Sequence, residues 1–193
     1  MDEKDANKNP TGRRVTTNDY SSADYYYVNK SSLPKVYGGF NTSLSWKGFD
    51  LSAIFAYSIG GYIYNRDVTM ILHNGSLEGR DWSTEILRRW TPDNRYTDVP
   101  ALSTTSNNWN SASTRFLQNN SYMRLKNLTL SYNLPKQWIS KLSLSSVQVY
   151  VQGDNLFTIH RNQGLDPEQG ITGITYYRYP AMRTISGGIN VSF

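Results

Sequence analysis

From Gly39 the chain alternates apolar and polar residues with a period of two. Phe40, Thr42, Leu44 and Trp46 fall on one face, and Asn41, Ser43, Ser45 and Lys47 on the other. Successive side chains of a strand point to opposite faces, so this is the signature of a strand with one face in an apolar medium. Lys47-Gly48-Phe49-Asp50 supplies a tight turn. Leu51, Ala53, Phe55, Tyr57 and Ile59 then resume the pattern against Ser52, Ala56, Ser58 and Gly60, which predicts a hairpin. The period returns at Leu128, Leu130, Tyr132 and Leu134, at Val147, Val149 and Val151, and at Ile185, Gly187, Ile189, Val191 and Phe193. Five strands follow, near residues 36–47, 50–60, 122–134, 147–157 and 183–193.

The intervals are of two kinds. Lys47–Asp50 and Pro135–Ser146 are short, with one helical turn expected from Lys136 to Leu142. Residues 61–120 and 158–182 are long and break the period. Short helices are expected at Val68–His73 and at Ser83–Trp90, the second with Ser83 as N-cap and Thr91-Pro92-Asp93-Asn94 as its stop. Ser103 to Thr114 is rich in Ser, Thr and Asn and reads as loop, and residues 1–35 read as a polar surface loop. Insertions of this length between strands are normally functional.

Alternation alone fits two architectures. In a soluble β-sandwich the apolar face packs on a second sheet. In a transmembrane barrel it meets lipid, and strands of about 9–11 residues cross the bilayer at a tilt. On composition the two weigh nearly equally, and the order of short and long connections favours the barrel. The polar faces are Asn, Ser, Thr and Gln, which suits a hydrated lumen, and the connections alternate short and long. Only 18% of the 193 residues are charged, while 13% are aromatic, including 15 Tyr. The fold class expected is thus all-β: an antiparallel transmembrane β-barrel segment with long extracellular loops. Five strands cannot close a barrel, since bacterial single-chain barrels have eight or more. An open edge in lipid leaves about half of a ten-residue strand's backbone groups unpaired, at several kcal/mol each. The chain is therefore expected to be the terminal part of a larger barrel, or to need partner strands.

Three further segments resemble a known family. Ser121-Tyr122-Met123-Arg124-Leu125-Lys126-Asn127-Leu128-Thr129-Leu130-Ser131-Tyr132-Asn133-Leu134-Pro135, Tyr150-Val151-Gln152-Gly153-Asp154-Asn155-Leu156-Phe157-Thr158 and Gly164-Leu165-Asp166-Pro167-Glu168 look, in this order and spacing, like the closing strands of the SusC/RagA family of TonB-linked outer-membrane transporters. Leu33-Pro34-Lys35-Val36-Tyr37-Gly38-Gly39-Phe40 fits as well. Ser186, Gly188, Val191 and Phe193 resemble the carboxyl-terminal signal read by the barrel assembly machinery. The resemblance implies an outer-membrane importer of oligosaccharides or peptides, with a large barrel, an internal plug, a TonB-binding segment and a SusD-like surface lipoprotein as lid. No plug, TonB box or signal peptide is visible here. The chain's expected share is barrel closure and surface loops, its partners being membrane lipid and the rest of the transporter.

Independent chemistry is sparse. With no Cys, disulfides, thiolate metal sites and Cys nucleophiles drop out. A net charge of +5 is modest and scattered, not the basic stripe of a nucleic-acid binder. His73 and His160 read as loop or strand-end histidines, and Asp154 as part of a lumen network. Asp166 and Glu168 resemble paired hydrolase carboxylates as much as an Asp-Pro-Glu turn. No cofactor, metal or catalytic residue is expected, and the chain reads as no enzyme. Tyr25, Tyr26, Tyr27, Trp82 and Trp109 are the candidate ligand or partner contacts, among further loop aromatics at Trp90, Tyr176, Tyr177 and Tyr179. The rival reading is a secreted β-sandwich that binds carbohydrate through such aromatics.

Overall fold

The structure, a computed structural model, describes the chain apart from residues 1, 18, 74, 76, 78, 104–107, 163, 165, 169 and 176. Its strands are β1 (Asp2–Lys4), β2 (Pro10–Arg14), β3 (Pro34–Trp46), β4 (Phe49–Gly60), β5 (Tyr62–Asn65), β6 (Leu117–Asn119), β7 (Tyr122–Asn133), β8 (Ser146–His160), β9 (Ile174–Thr175) and β10 (Thr184–Ser192). Two short α-helices, α1 (Arg66–Ile71) and α2 (Lys136–Ile139), and several 3-10 turns complete them. No described helix is long and apolar enough to cross a membrane.

The chain divides into two compact units. One comprises residues 31–63, 118–173 and 178–193, and its frame is a five-stranded antiparallel sheet in the order β10-β8-β7-β4-β3. Trp46 pairs with Phe49 across a two-residue turn in which Lys47 and Gly48 both have positive φ, 49° and 89°. That is the type I′ geometry whose twist matches a hairpin. The register then stacks like on like. Leu44 faces Leu51, Leu51 faces Leu130, and Leu130 faces Val151, while Ser43, Ser52, Thr129 and Gln152 form the next layer on the opposite face. Phe40 stacks on Phe55 with centroids 4.7 Å apart.

The ladder is interrupted at Lys35, where Pro34 and Val36 of β3 oppose Gly60 and Ile59, and again in mid-sheet. Ile54 and Phe55 of β4 oppose Asn127 and Leu125, so Lys126 bulges from β7, and β8 carries Asn155 and Leu156 at the same level. Such bulges re-aim side chains locally. On the far side of this one, Tyr122 and Arg124 lie on the polar face although they share the even numbering of Leu128 and Leu130.

Within this unit no described residue covers the apolar face. Leu44 is 67% exposed, Trp46 64%, Ile185 72% and Ile189 65%. A sandwich would bury these positions under a second layer, so the sandwich reading has no support. Among the described residues β3 and β10 each have one neighbour, leaving both margins open. The fold is an antiparallel wall segment of a transmembrane barrel.

The other unit comprises residues 1–30, 64–117 and 174–177. β1 and β2 form a small hairpin in a stretch whose residues alternate no hydrophobicity, so sequence reading takes it for loop. Asn65 caps α1 by accepting from the Val68 N–H at 3.1 Å. The Ser83–Trp90 helix is instead a 3-10 turn over Thr84–Arg88, with the Ser83 hydroxyl accepting from the Glu85 N–H at 3.2 Å. Thr91–Asn94 closes as a turn whose Asn94 side chain donates to the Arg88 carbonyl at 3.0 Å. Arg88 pairs with Glu85 and Asp98 at the surface, and Arg95 donates to the Pro92 carbonyl. Phe116 is buried, with Tyr64 edge-on at 6.2 Å.

Candidate functional site

The polar face of the wall carries the organised chemistry. Near the turn end, Asn133 donates to Asp50 at 2.7 Å, Gln148 to Asn133 at 3.1 Å, and Asn190 to Gln148 at 3.2 Å, linking four strands. Higher up, Asn127 donates to Asp154 at 2.8 Å and Thr129 donates to Asn127 at 2.9 Å. Asp154 is thus an acceptor inside a side-chain network.

Above the bulge sits a charged cluster. Arg124, 3% exposed, reaches Asp166 at 2.5 Å and Glu168 at 2.8 Å, and its Nε donates to Thr158 at 2.9 Å. Lys126 reaches Glu168 at 2.6 Å. Asp166 also accepts from the N–H groups of Glu168 at 2.9 Å and Ala181 at 2.7 Å. Burial works against the Asp166 charge. The Ala181 and Glu168 amides and the Arg124 guanidinium outweigh it and hold the carboxyl below its ordinary value of 3.8. Two cations face two anions, so the cluster is neutral and closed. Both limbs of the loop after β8 are tied to the wall through one carboxylate.

This arrangement decides between the two sequence readings of Asp-Pro-Glu. A hydrolytic pair needs one carboxylic acid kept protonated and one free carboxylate. Here both groups are engaged by cations, and Asp166 is held ionised. The turn is a tether. Asn120 supports it, donating to the Pro167 carbonyl at 2.9 Å and accepting from Asn162 at 3.0 Å. His160 Nδ1 lies 3.0 Å from the Asn162 carbonyl, which requires that nitrogen to carry the proton.

The aromatic candidates do not form one site. Tyr25 and Tyr27 are each 94% exposed. The Tyr26 hydroxyl donates to Asp2 at 2.8 Å, and Arg14 lies over its ring at 4.0 Å. Tyr20, Tyr25 and Tyr26 line an open cavity of about 390 Å³ with Ala112, Ser113 and Thr114. Trp82 instead donates its Nε1–H to His73 Nδ1 at 3.1 Å. That nitrogen also accepts from Gly75 and Leu77, so His73, read as a loop histidine, is a buried organiser of its loop. Trp109 stacks under Arg115 at 4.9 Å. Tyr176 lies outside the described residues. Among the described residues no group of His, Asp and Glu could hold a metal ion.

Ser186, Gly188, Val191 and Phe193 follow the open-edge strand. Ser186 faces Gln152, Gly188 faces Tyr150 and Val191 faces Val147, while Phe193 lies just past β10 and is 92% exposed. A Cβ added to Gly188 would meet the Tyr150 hydroxyl at 2.7 Å, so the ring occupies the space that glycine leaves.

No family model matches the chain. It is 34% identical to TonB-dependent receptor P3 of Formosa agariphila, over 80% of this chain and 16% of that relative. It is 30% identical to TonB-dependent receptor P26 of the same organism, over 89% of this chain and 18% of the relative. TonB-dependent receptor SusC of Bacteroides thetaiotaomicron is 27% identical over 86% of this chain and 16% of its own length. The chain therefore spans less than a fifth of these relatives. Among solved structures, the RagAB peptide importer in its closed-closed state superposes over 99% of this chain and 20% of that one, with TM-score 0.79 and 35% identity. Its open-open state gives 0.77 and 36% over 93% of this chain.

Proposed function

Because the chain belongs to the SusC/RagA family of TonB-dependent receptors of the outer membrane, we propose that it serves as the closing wall of a nutrient transporter's barrel. Its apolar face contacts lipid, its polar face lines the lumen, and its margins pair with strands of the remaining barrel. The observation that carries this reading is the uncovered apolar face of one continuous antiparallel sheet. Water-exposed apolar patches larger than a few hundred Å² mark interaction surfaces, and here the face runs across all five strands.

Transport itself requires the rest of the receptor. The plug and the TonB contact lie there, and a SusD-like lipoprotein caps the barrel over the long loops. Oligosaccharides or peptides are the cargo, and the exposed Tyr25 and Tyr27 offer contacts to cargo or lid. The chain acts as a transporter part and performs no catalysis. β10 presents Ser186, Gly188, Val191 and Phe193 to the barrel assembly machinery. In cells expressing the full-length receptor, outer-membrane recovery with heat-modifiable mobility is expected, together with a surface lipoprotein that co-purifies. Recovery of the receptor as a detergent-free soluble protein would reject the reading. Deleting Phe193 is expected to lower outer-membrane levels while synthesis continues, and unchanged levels would remove the assembly role alone.

A further inference from the structure

Above the bulge, the register places Tyr37, Ser58, Tyr122 and His160 in one layer on the polar face. Ser58 is the direct partner of both tyrosines. The tethered loop stands beside them, and together they enclose a cavity of about 450 Å³ lined by Leu33, Tyr37, Ser58, Tyr122, Pro167 and Ile171. Ser32, Pro34, Gly60, Asn120 and Gly170 complete the lining, so no charged side chain contributes.

The polar groups divide into spent and unspent. Ser32 donates to the Ile171 carbonyl at 2.8 Å. The Asn120 amide is used at both ends, by Pro167 and Asn162. The hydroxyls of Tyr37, Ser58 and Tyr122 have no hydrogen-bond partner among the described residues, and each both donates and accepts. Adjacent strands lie about 4.8 Å apart, which puts the two tyrosines roughly 10 Å apart with a small residue between them. That interval takes one saturated six-membered ring against a tyrosine face. Ring C–H groups pack on the aromatic surface and ring hydroxyls meet the protein hydroxyls. Beside the cavity Arg124, Lys126, Asp166 and Glu168 neutralise one another, and the stem of Lys35 packs against the lining Gly60, so an oligogalacturonate probe reads whether its ammonium draws an anion.

We propose that this lumenal cavity is a binding subsite for an uncharged saccharide ring, with Tyr37 as platform, Ser58 and Tyr122 as hydroxyl partners, and the loop held by Arg124 as its far wall. The proposal rests on the transporter reading and adds a place and a ligand chemistry to it.

The test uses the full-length receptor in detergent, fractionated first to establish its outer-membrane origin. Binding of neutral xylo-, cello- and maltohexaose, a neutral Ser/Gly hexapeptide and an oligogalacturonate is followed by calorimetry. At least one neutral saccharide is expected to bind. Tyr37→Ala is expected to weaken it about tenfold, and Ser58→Ala by roughly threefold to tenfold, the range of one lost hydrogen bond. Tyr37→Phe keeps the platform and is expected to lose less than Tyr37→Ala. Tyr37 is 77% exposed, so its variants test the site without disturbing packing. Saccharide binding untouched by these substitutions, tighter binding of the oligogalacturonate or the peptide, or no binding by any probe overturns the subsite. A receptor absent from the outer membrane overturns the barrel reading instead.

Discussion

The two faces of the five-stranded sheet are made by the same backbone but obey different rules. On the apolar face each layer repeats one kind of contact, as in Leu44, Leu51, Leu130 and Val151, and any residue of similar shape would serve. On the polar face the networked residues each have a particular partner. Arg124 has Asp166, Glu168 and Thr158, and Asn127 has Asp154. The difference is physical. Contact with lipid is non-directional and additive, whereas a buried hydrogen bond or ion pair is directional and costly to leave half-made. One face tolerates exchange within a class, and the other tolerates little at the cluster and much elsewhere.

That contrast breaks or holds on a graded set of variants of the full-length receptor. The largest effect belongs to Arg124→Ala, which strands Asp166 with its side chain 6% exposed. Breaking a buried pair costs about 3–5 kcal/mol. Denaturant unfolding of the folded receptor reads the loss, and Arg124→Met combined with Asp166→Asn and Glu168→Gln should restore most of it. Next comes Leu51→Arg, which puts a cation into lipid close to the turn end, at about 1 kcal/mol, the upper value near a membrane interface. Equal stability of this variant and the parent would show that the face is not lipid-exposed.

Acidification has a smaller, local effect. The Asp166 carboxyl is held below 3.8, so its contribution is complete above that value and is lost as pH falls through the lower, folded-state value. Hydrogen-exchange protection of the Glu168 and Ala181 amides, corrected for intrinsic rates, should be constant from pH 7 to 4 and fall below about 3.8. Loss of protection between pH 7 and 5 would contradict the tether. The smallest effect is that of Ser52→Arg, next to Leu51 but facing the lumen, expected within about 0.5 kcal/mol of the parent. A cost equal to that of Leu51→Arg would erase the distinction between faces.

The sequence makes the lipid face and the strand order legible because period two is a local signal. Phe40, Leu44, Leu51 and Ile189 declare their side within a few residues. The tether is not legible, because Arg124 and Asp166 are 42 residues apart and nothing local pairs them. Asp-Pro-Glu, by spacing alone, fits a turn and a catalytic pair equally. The bulge hides in the same way. Tyr122 and Arg124 sit out of step with Leu128, and only the ladder shows that Lys126 absorbs the slip. The β1–β2 hairpin is held by backbone pairing with no apolar pattern to announce it. The Tyr37–Ser58–Tyr122 layer could have been found from the hairpin register, had the β4–β7 pairing been known.

Losing a single codon from a strand ordinarily exchanges inside for outside along everything that follows. At position 126 the arithmetic runs the other way. With Lys126 excised, Tyr122 to Leu125 and Asn127 to Asn133 join into an unbroken inward–outward series that matches β4 residue for residue. The gene can therefore shed this codon without turning the wall inside out, and the change would cost the membrane-spanning stave only one of the cations that moor Glu168.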